Sequence, residues 1–172
     1  MNFEFKHLLP EGFSPNSRVW IYQSSRLFLI SEALLIEEML QNFVAQWNAH
    51  GHPVKGYANM FFGQFIVLMA DETSIAVSGC STDSSVRLIK EIEQKFGVSM
   101  FDRQNLAFAI EGKVQLLPMA QIPWGIEKGF IKEDTLYFNN LAATKEQLEN
   151  NWLVPAGKSW LGSRYFNGKL TT

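Results

Sequence analysis

Two stretches gather the side chains that can do chemistry: AHGHP at residues 49–53 and SGCSTDSSVR at residues 78–87. The second sets Cys80 just ahead of a run of small polar residues of the kind that opens a helix. Unpaired N–H groups and the dipole at a helix start favour a negative charge there by about 0.3–1 kcal/mol. That makes Ser81, Asp83, Ser84 and Ser85 candidates for an anion site. The same field favours a thiolate, so Cys80 is a candidate nucleophile and His50 or His52 its base. Each group also has a structural reading: the serines and Asp83 as helix caps, Cys80 as a small buried hydrophobe, the histidines as a polar helix exit. Two histidines without a third ligand do not define a metal site, so neither a metal nor a cofactor is expected. The phosphatase loop C-x-x-x-x-x-R is not met, because STDSSV between Cys80 and Arg87 is one residue too long.

A third stretch, Gly157-Lys158-Ser159, spells the tail of a phosphate loop. The full loop, G-x-x-x-x-G-K-[ST], wraps backbone N–H groups around a phosphate and needs a glycine at its first position. That position is Trp152. The apolar run FIVLMADE at residues 65–72 has the look of a magnesium-supporting strand, but it precedes the GKS where nucleotide enzymes have it afterwards. ATP hydrolysis is therefore not expected.

Composition narrows the classes further. The chain has 172 residues, 47% hydrophobic and 19% charged, which suits a folded domain with a real core. A formal charge of −2 gives no basic footprint for nucleic acid. The N-terminal MNFEFKHLLPEGF carries no sustained apolar stretch of a secretory signal, and FIVLMA is too short to cross a bilayer. One cysteine excludes an intrachain disulfide and fits a reducing compartment, so a cytoplasmic protein without membrane association is expected.

The elements that must position these groups follow from periodicity. RVWIYQS at 18–24 predicts a first strand. ISEALLIEEMLQNFVAQW predicts a helix capped by Ser31, with Ile36, Met39, Leu40, Phe43 and Trp47 facing the core. NMFFGQFIVLMA predicts a second strand with a bulge at Gly63, returning through Asp71-Glu72-Thr73-Ser74 as IAVSGC. A second helix opens near Asp83 and closes at Gly97, and LAFAI turns through Glu111-Gly112 into KVQLLP. This βαββαβ order predicts an α+β fold of ferredoxin-like type: one antiparallel sheet with two helices on one face. Residues 1–118 would form that domain with its N-terminal arm. Residues 119–172 would add a hairpin about Glu133-Asp134 and a short helix with a Thr144–Gln147 capping box, packed on the same domain.

In that fold the histidine and cysteine stretches meet at one end of the sheet. The opposite end would gather Gln23, Ser24, Ser25, Arg26, Asp71, Glu72, Asp102 and Arg103. Arg26, following the first strand, is placed roughly as the anion-binding arginine of acylphosphatase-like domains. An RNA-binding sheet of the same order is disfavoured, since SIAVSG lacks base-stacking aromatics.

RVWIYQSSR, WNAHGHP, DETSIAVSGCSTDSSV and FNNLAATKEQLENNW together resemble a family of short Bacteroidetes proteins often called "ABC transporter ATPase". The resemblance covers nearly the whole chain. SGCST is not the LSGGQ signature of such ATPases, and the resemblance carries no catalytic residues over. The expectation is a binding or interaction domain, with a homodimer or protein partner contacting the C-terminal aromatics or a sheet edge. The alternative is a small hydrolase or thiol-dependent enzyme.

Overall fold

The structure, a computed structural model, describes residues 2–166. Strand β1 (Arg18–Gln23) leads into helix α1 (Ile30–Gln46), the short strands β2 (Asn48–Ala49) and β3 (His52–Pro53), then β4 (Lys55–Phe61) and β5 (Phe65–Asp71). Helix α2 (Gly79–Phe96) is followed by β6 (Asn105–Ile110), β7 (Lys113–Pro118), α3 (Ile122–Glu127), β8 (Leu136–Phe138), α4 (Lys145–Asn151) and β9 (Leu153–Pro155). Three X-Gly pairs close the hairpins. His50-Gly51, Phe62-Gly63 and Glu111-Gly112 all take positive φ, between 50° and 79°, which tight hairpin turns demand and glycine adopts without a Cβ penalty.

Two antiparallel sheets result, ordered β1-β5-β4 and β7-β6-β8-β9. Helices α1 and α2 cover the outer face of the first, where Ile36, Leu40, Leu88, Ile89 and Ile92 bury Ile66 and Leu68. Its inner face, with Val19, Phe65, Val67 and Met69, packs on Ala107, Val114 and Phe138 of the second sheet and on Leu148 and Trp152. The far face of the second sheet carries Leu106, Phe108 and Tyr137 against Ile122, Ile131 and Leu161. The order of layers is thus helices, sheet, sheet, and then α3 with the C-terminal segment. Burial on both faces explains why residues 65–70 of β5 are apolar without alternation and all buried.

The mixed α and β composition expected from the sequence is present, but the strands are joined differently from a ferredoxin-like sheet. The predicted bulge at Gly63 is a hairpin turn, so residues 55–61 and 65–71 are two strands instead of one. IAVSGC forms no strand, because Ser78 caps α2 through a bond from the Ser81 N–H (3.2 Å) and the helix begins at Gly79. The strand after α2 joins the second sheet, and the free edge of β1 is met by residues 143–145 through Val19 N–H to Ala143 O (2.9 Å) and Lys145 N–H to Ser17 O (2.9 Å). The hairpin expected about Glu133-Asp134 is likewise absent, since β8 pairs with β6 and β9. Residues 167–172 of the expected C-terminal extension lie outside the described residues.

The start of α1 differs from expectation, while that of α4 follows it. Ser31 lies inside α1, and the Glu32 carboxylate accepts the Leu29 N–H at 2.8 Å in place of a side-chain cap. Thr144 does cap α4, accepting Gln147 N–H at 3.2 Å, while the Gln147 side chain reaches back to Ala143 N–H at 2.9 Å.

Trp152 is wholly buried where the sheets face one another. Its ring meets Phe5, Phe65, Phe61, Phe138 and Phe62 with centroids 4.9–5.7 Å away. Removing so large a buried ring leaves a cavity that neighbours in two sheets cannot collapse to fill. Trp152→Ala is expected to lower unfolding free energy by about 3–5 kcal/mol in urea titrations, against under about 1 kcal/mol for Leu141→Ala at an exposed position.

Candidate functional site

The histidine and cysteine stretches do adjoin. Trp47 Nε1 donates to Ser81 O at 3.0 Å, and Ser81 Oγ donates to Asn48 O at 2.6 Å, tying the β2–β3 hairpin to the start of α2. His50 and His52 are exposed on that hairpin, and Cys80 is exposed in the first turn of α2. The buried-cysteine reading is therefore corrected. The hydroxyls, however, are committed to the backbone: Ser84 Oγ to Ser81 O (2.7 Å) and Ser85 Oγ to Thr82 O (2.7 Å), besides Ser81 to Asn48. Asp83 lies exposed one turn into the helix and caps nothing. The arrangement is capping and back-bonding chemistry, in which each hydroxyl proton already has an acceptor. Among the described residues no three His, Cys, Asp or Glu side chains are gathered so as to hold a metal ion.

The GKS stretch is a 3₁₀ turn, Ala156–Lys158. The Gly157 N–H, which a phosphate loop would aim at its ligand, donates to Glu133 O at 2.8 Å. The Ser159 hydroxyl, which would hold magnesium, donates to Ala156 O at 2.8 Å. Gly157 is needed for protein packing: a Cβ there would lie 3.1 Å from that of Glu133, and a Cβ on Gly162 would overlap the Gly157 carbonyl.

The charged cluster expected at the other end of the sheet divides. Because β1 and β5 are antiparallel, with Arg18 opposite Ala70 and Gln23 opposite Phe65, Asp71 lies at the end away from Gln23. There its carboxylate takes the Thr73 hydroxyl, Lys55 Nζ (2.9 Å) and the amides of Thr73 and Ser14, which together hold it well below the ordinary aspartate range. Arg26 is engaged as well. It grips both oxygens of Glu32 (2.8 and 2.9 Å) and donates to Phe96 O (2.7 Å), clamping the start of α1 to the end of α2. Its guanidinium and the Leu29 N–H pull the Glu32 carboxyl down to about 2. Arg26 is therefore not left open in the acylphosphatase manner.

What remains of that cluster, Gln23 with Asp102 and Arg103, borders a cavity of about 220 Å³ at the edge where the two sheets diverge. Its walls are mostly apolar: Ile21, Tyr22, Met100, Phe101, Leu106, Met119, Tyr137 and Trp160. Polar groups enter at set points. Gln23 donates to Asn105 O (2.9 Å) and accepts from Asn140 Nδ2 (2.9 Å), and Asn140 Oδ1 accepts from Trp152 Nε1 (3.0 Å), so a chain of amides forms one side. Trp160 Nε1 donates to the Tyr137 hydroxyl at 3.1 Å. Burial pushes the Tyr137 and Tyr22 phenols upward, partly offset at Tyr22 by the Ser85 hydroxyl and the Arg103 charge beside it. Arg103 itself makes no ion pair or hydrogen bond among the described residues, and its side chain is exposed at the rim.

Sequence reasoning named Gln23, Asp102 and Arg103 but assigned them the wrong company. It missed Asn140, Tyr137 and Trp160, which come from the C-terminal third and reach the cavity only through pairing of the second sheet. The one available signal was FNN at 138–140, polar amides directly after an apolar strand.

No protein-family model matches the chain, and neither a curated protein nor a solved structure does so. Nothing in those comparisons bears on the resemblance read from the sequence.

The two engaged carboxylates set an acid limit. Their folded pKa values are depressed, so the stabilisation is complete above the unfolded carboxylate range and is lost as pH falls. Urea midpoints should hold steady from pH 7 to about 5 and decline below about 4.5, where Glu32 and Asp71 bind protons in the unfolded chain while remaining charged in the folded one. Glu32→Gln should make that decline shallower down to about pH 2, where its own titration falls.

Proposed function

We propose that this chain is a binding domain, not an ATPase, and that the cavity between its two sheets takes a small, largely apolar molecule. The observation that carries the reading is the cavity itself: an aromatic and aliphatic concavity with a few convergent polar groups, the usual build of a ligand site. Its volume of about 220 Å³ has room for a fragment-sized compound. The engaged Gly157 N–H and Ser159 hydroxyl support the exclusion of ATP. A cytoplasmic setting fits the free, exposed Cys80. The hydrolase or thiol-enzyme alternative has less support, since the serine hydroxyls beside Cys80 already have acceptors and neither histidine lines the cavity.

A second reading, contact with another copy of the chain, rests on a separate observation. The C-terminal aromatics expected at an interface are inside or half-buried, but Leu27, Leu29, Ile30, Leu34 and Leu35 around the start of α1 are 45–84% exposed. So dense an aliphatic patch is unusual on a monomer. Two copies meeting symmetrically through α1 would cover it on both sides.

Fragment titration followed by melting temperature and by NMR should find apolar fragments that stabilise the protein and perturb Tyr22, Leu106 and Tyr137, while Mg-ATP shifts nothing. Met119→Trp, which fills the cavity, should abolish that stabilisation with the fold intact; fragments that bind equally well to it would remove the cavity from the account. Separately, sedimentation should show a dimer that Ile30→Glu converts to monomer, and a monomeric native chain would dismiss the second reading.

A further inference from the structure

The cavity's polar complement says what kind of molecule belongs in it, and this inference rests on the cavity being a ligand site at all. We propose that its ligand is a monocarboxylic acid with a compact apolar body, the carboxylate facing Arg103 at the rim and the Tyr137 hydroxyl, the body lying among the aromatic and thioether walls.

Three observations converge. First, Arg103 is a guanidinium without a partner among the described residues, at the mouth of an apolar concavity. Other cations are held by carboxylates, as Arg26 is by Glu32, Lys55 by Asp71 and Lys145 by Glu149. Second, Asp102, the carboxylate that also lines the cavity, does not serve Arg103. Its oxygens accept the Gln104 N–H at 2.7 Å and Asn105 Nδ2 at 2.6 Å, so its charge is held by its own loop. Third, Tyr137 is a buried residue, 3% exposed, and its hydroxyl accepts from Trp160. Its own proton has no acceptor among the described residues. A buried donor of that kind, beside an open volume, calls for an acceptor from outside.

The charge count selects the class. One guanidinium matches one carboxylate, and the planar fork of arginine suits two carboxylate oxygens. A phosphate ester would bring about two negative charges to a site with a single cation. A neutral hydrocarbon would satisfy the walls and leave the Tyr137 proton unanswered. The edge-on pair of Tyr22 and Phe101, 5.5 Å between centroids, offers a ring a surface to lie on.

The test compares 3-phenylpropionate with its uncharged amide, by calorimetry and by NMR titration at pH 7, on the native chain and on Arg103→Gln and Tyr137→Phe. Arg103 is exposed, so its replacement should leave the melting temperature unchanged. The expected result is an acid bound about tenfold tighter than the amide, with Arg103→Gln abolishing that preference and leaving amide affinity as it was. Tyr137→Phe should weaken the acid severalfold, and added salt should weaken the acid alone. Acid and amide binding equally in the cavity, or a preference that survives Arg103→Gln, would overturn the carboxylate assignment and leave the cavity as a site for neutral ligands. Failure of both compounds to perturb cavity residues at millimolar concentration would overturn the cavity reading together with this one.

Discussion

The interaction on which the rest depends is the contact of two sheets across a layer of aromatic rings. Neither sheet could exist alone, since each has apolar residues on both faces, and a sheet with two apolar faces must be covered twice. Trp152 occupies the middle of that layer, touching Phe5 from the N-terminal arm, Phe61 and Phe65 from the first sheet and Phe138 from the second. Edge-to-face and tilted packing of such rings gives directional preference on top of the area buried. The arm, the hairpin and the C-terminal strands are thereby fixed to one another by a single side chain.

The same tryptophan links core to cavity. Its indole N–H needs an acceptor because it is buried, and the acceptor is Asn140. Asn140 in turn donates to Gln23, which donates to Asn105. A polar chain thus runs from the centre of the aromatic layer to the place where the sheets part, and there it forms one wall of the open volume. The cavity exists where the rings give out, and its shape is held by amides whose geometry is set from inside the core.

Polar groups that look chemical in a linear sequence turn out to be of two kinds. Those in the serine run and the GKS stretch are answered locally, by carbonyls three residues back or by an adjoining loop, and so finish helices and turns. Around the cavity Asp102 is also answered locally, but Gln23, Asn140 and Tyr137 are answered across long separations, and the Arg103 guanidinium has no partner among the described residues. Engagement, not residue type, separates structural polarity from the kind that can meet a ligand.

Some of this was open to reading in the chain itself. Helical spacing of Ile36, Leu40, Ile89 and Ile92 marked the two long helices, Gly97 marked the end of one, and Glu111-Gly112 marked a hairpin, because these signals are local consequences of backbone sterics and periodic burial. Phe62-Gly63 carried the same kind of signal, yet an apolar residue in a left-handed conformation reads as strand, so the hairpin there was invisible and the strand order went wrong with it. Which strands share a sheet, and that Asn140, Tyr137 and Trp160 come to border Gln23 and Arg103, was decided only by tertiary structure. Pairing between distant segments is chosen by the total burial of both faces, a quantity that no short window of residues contains.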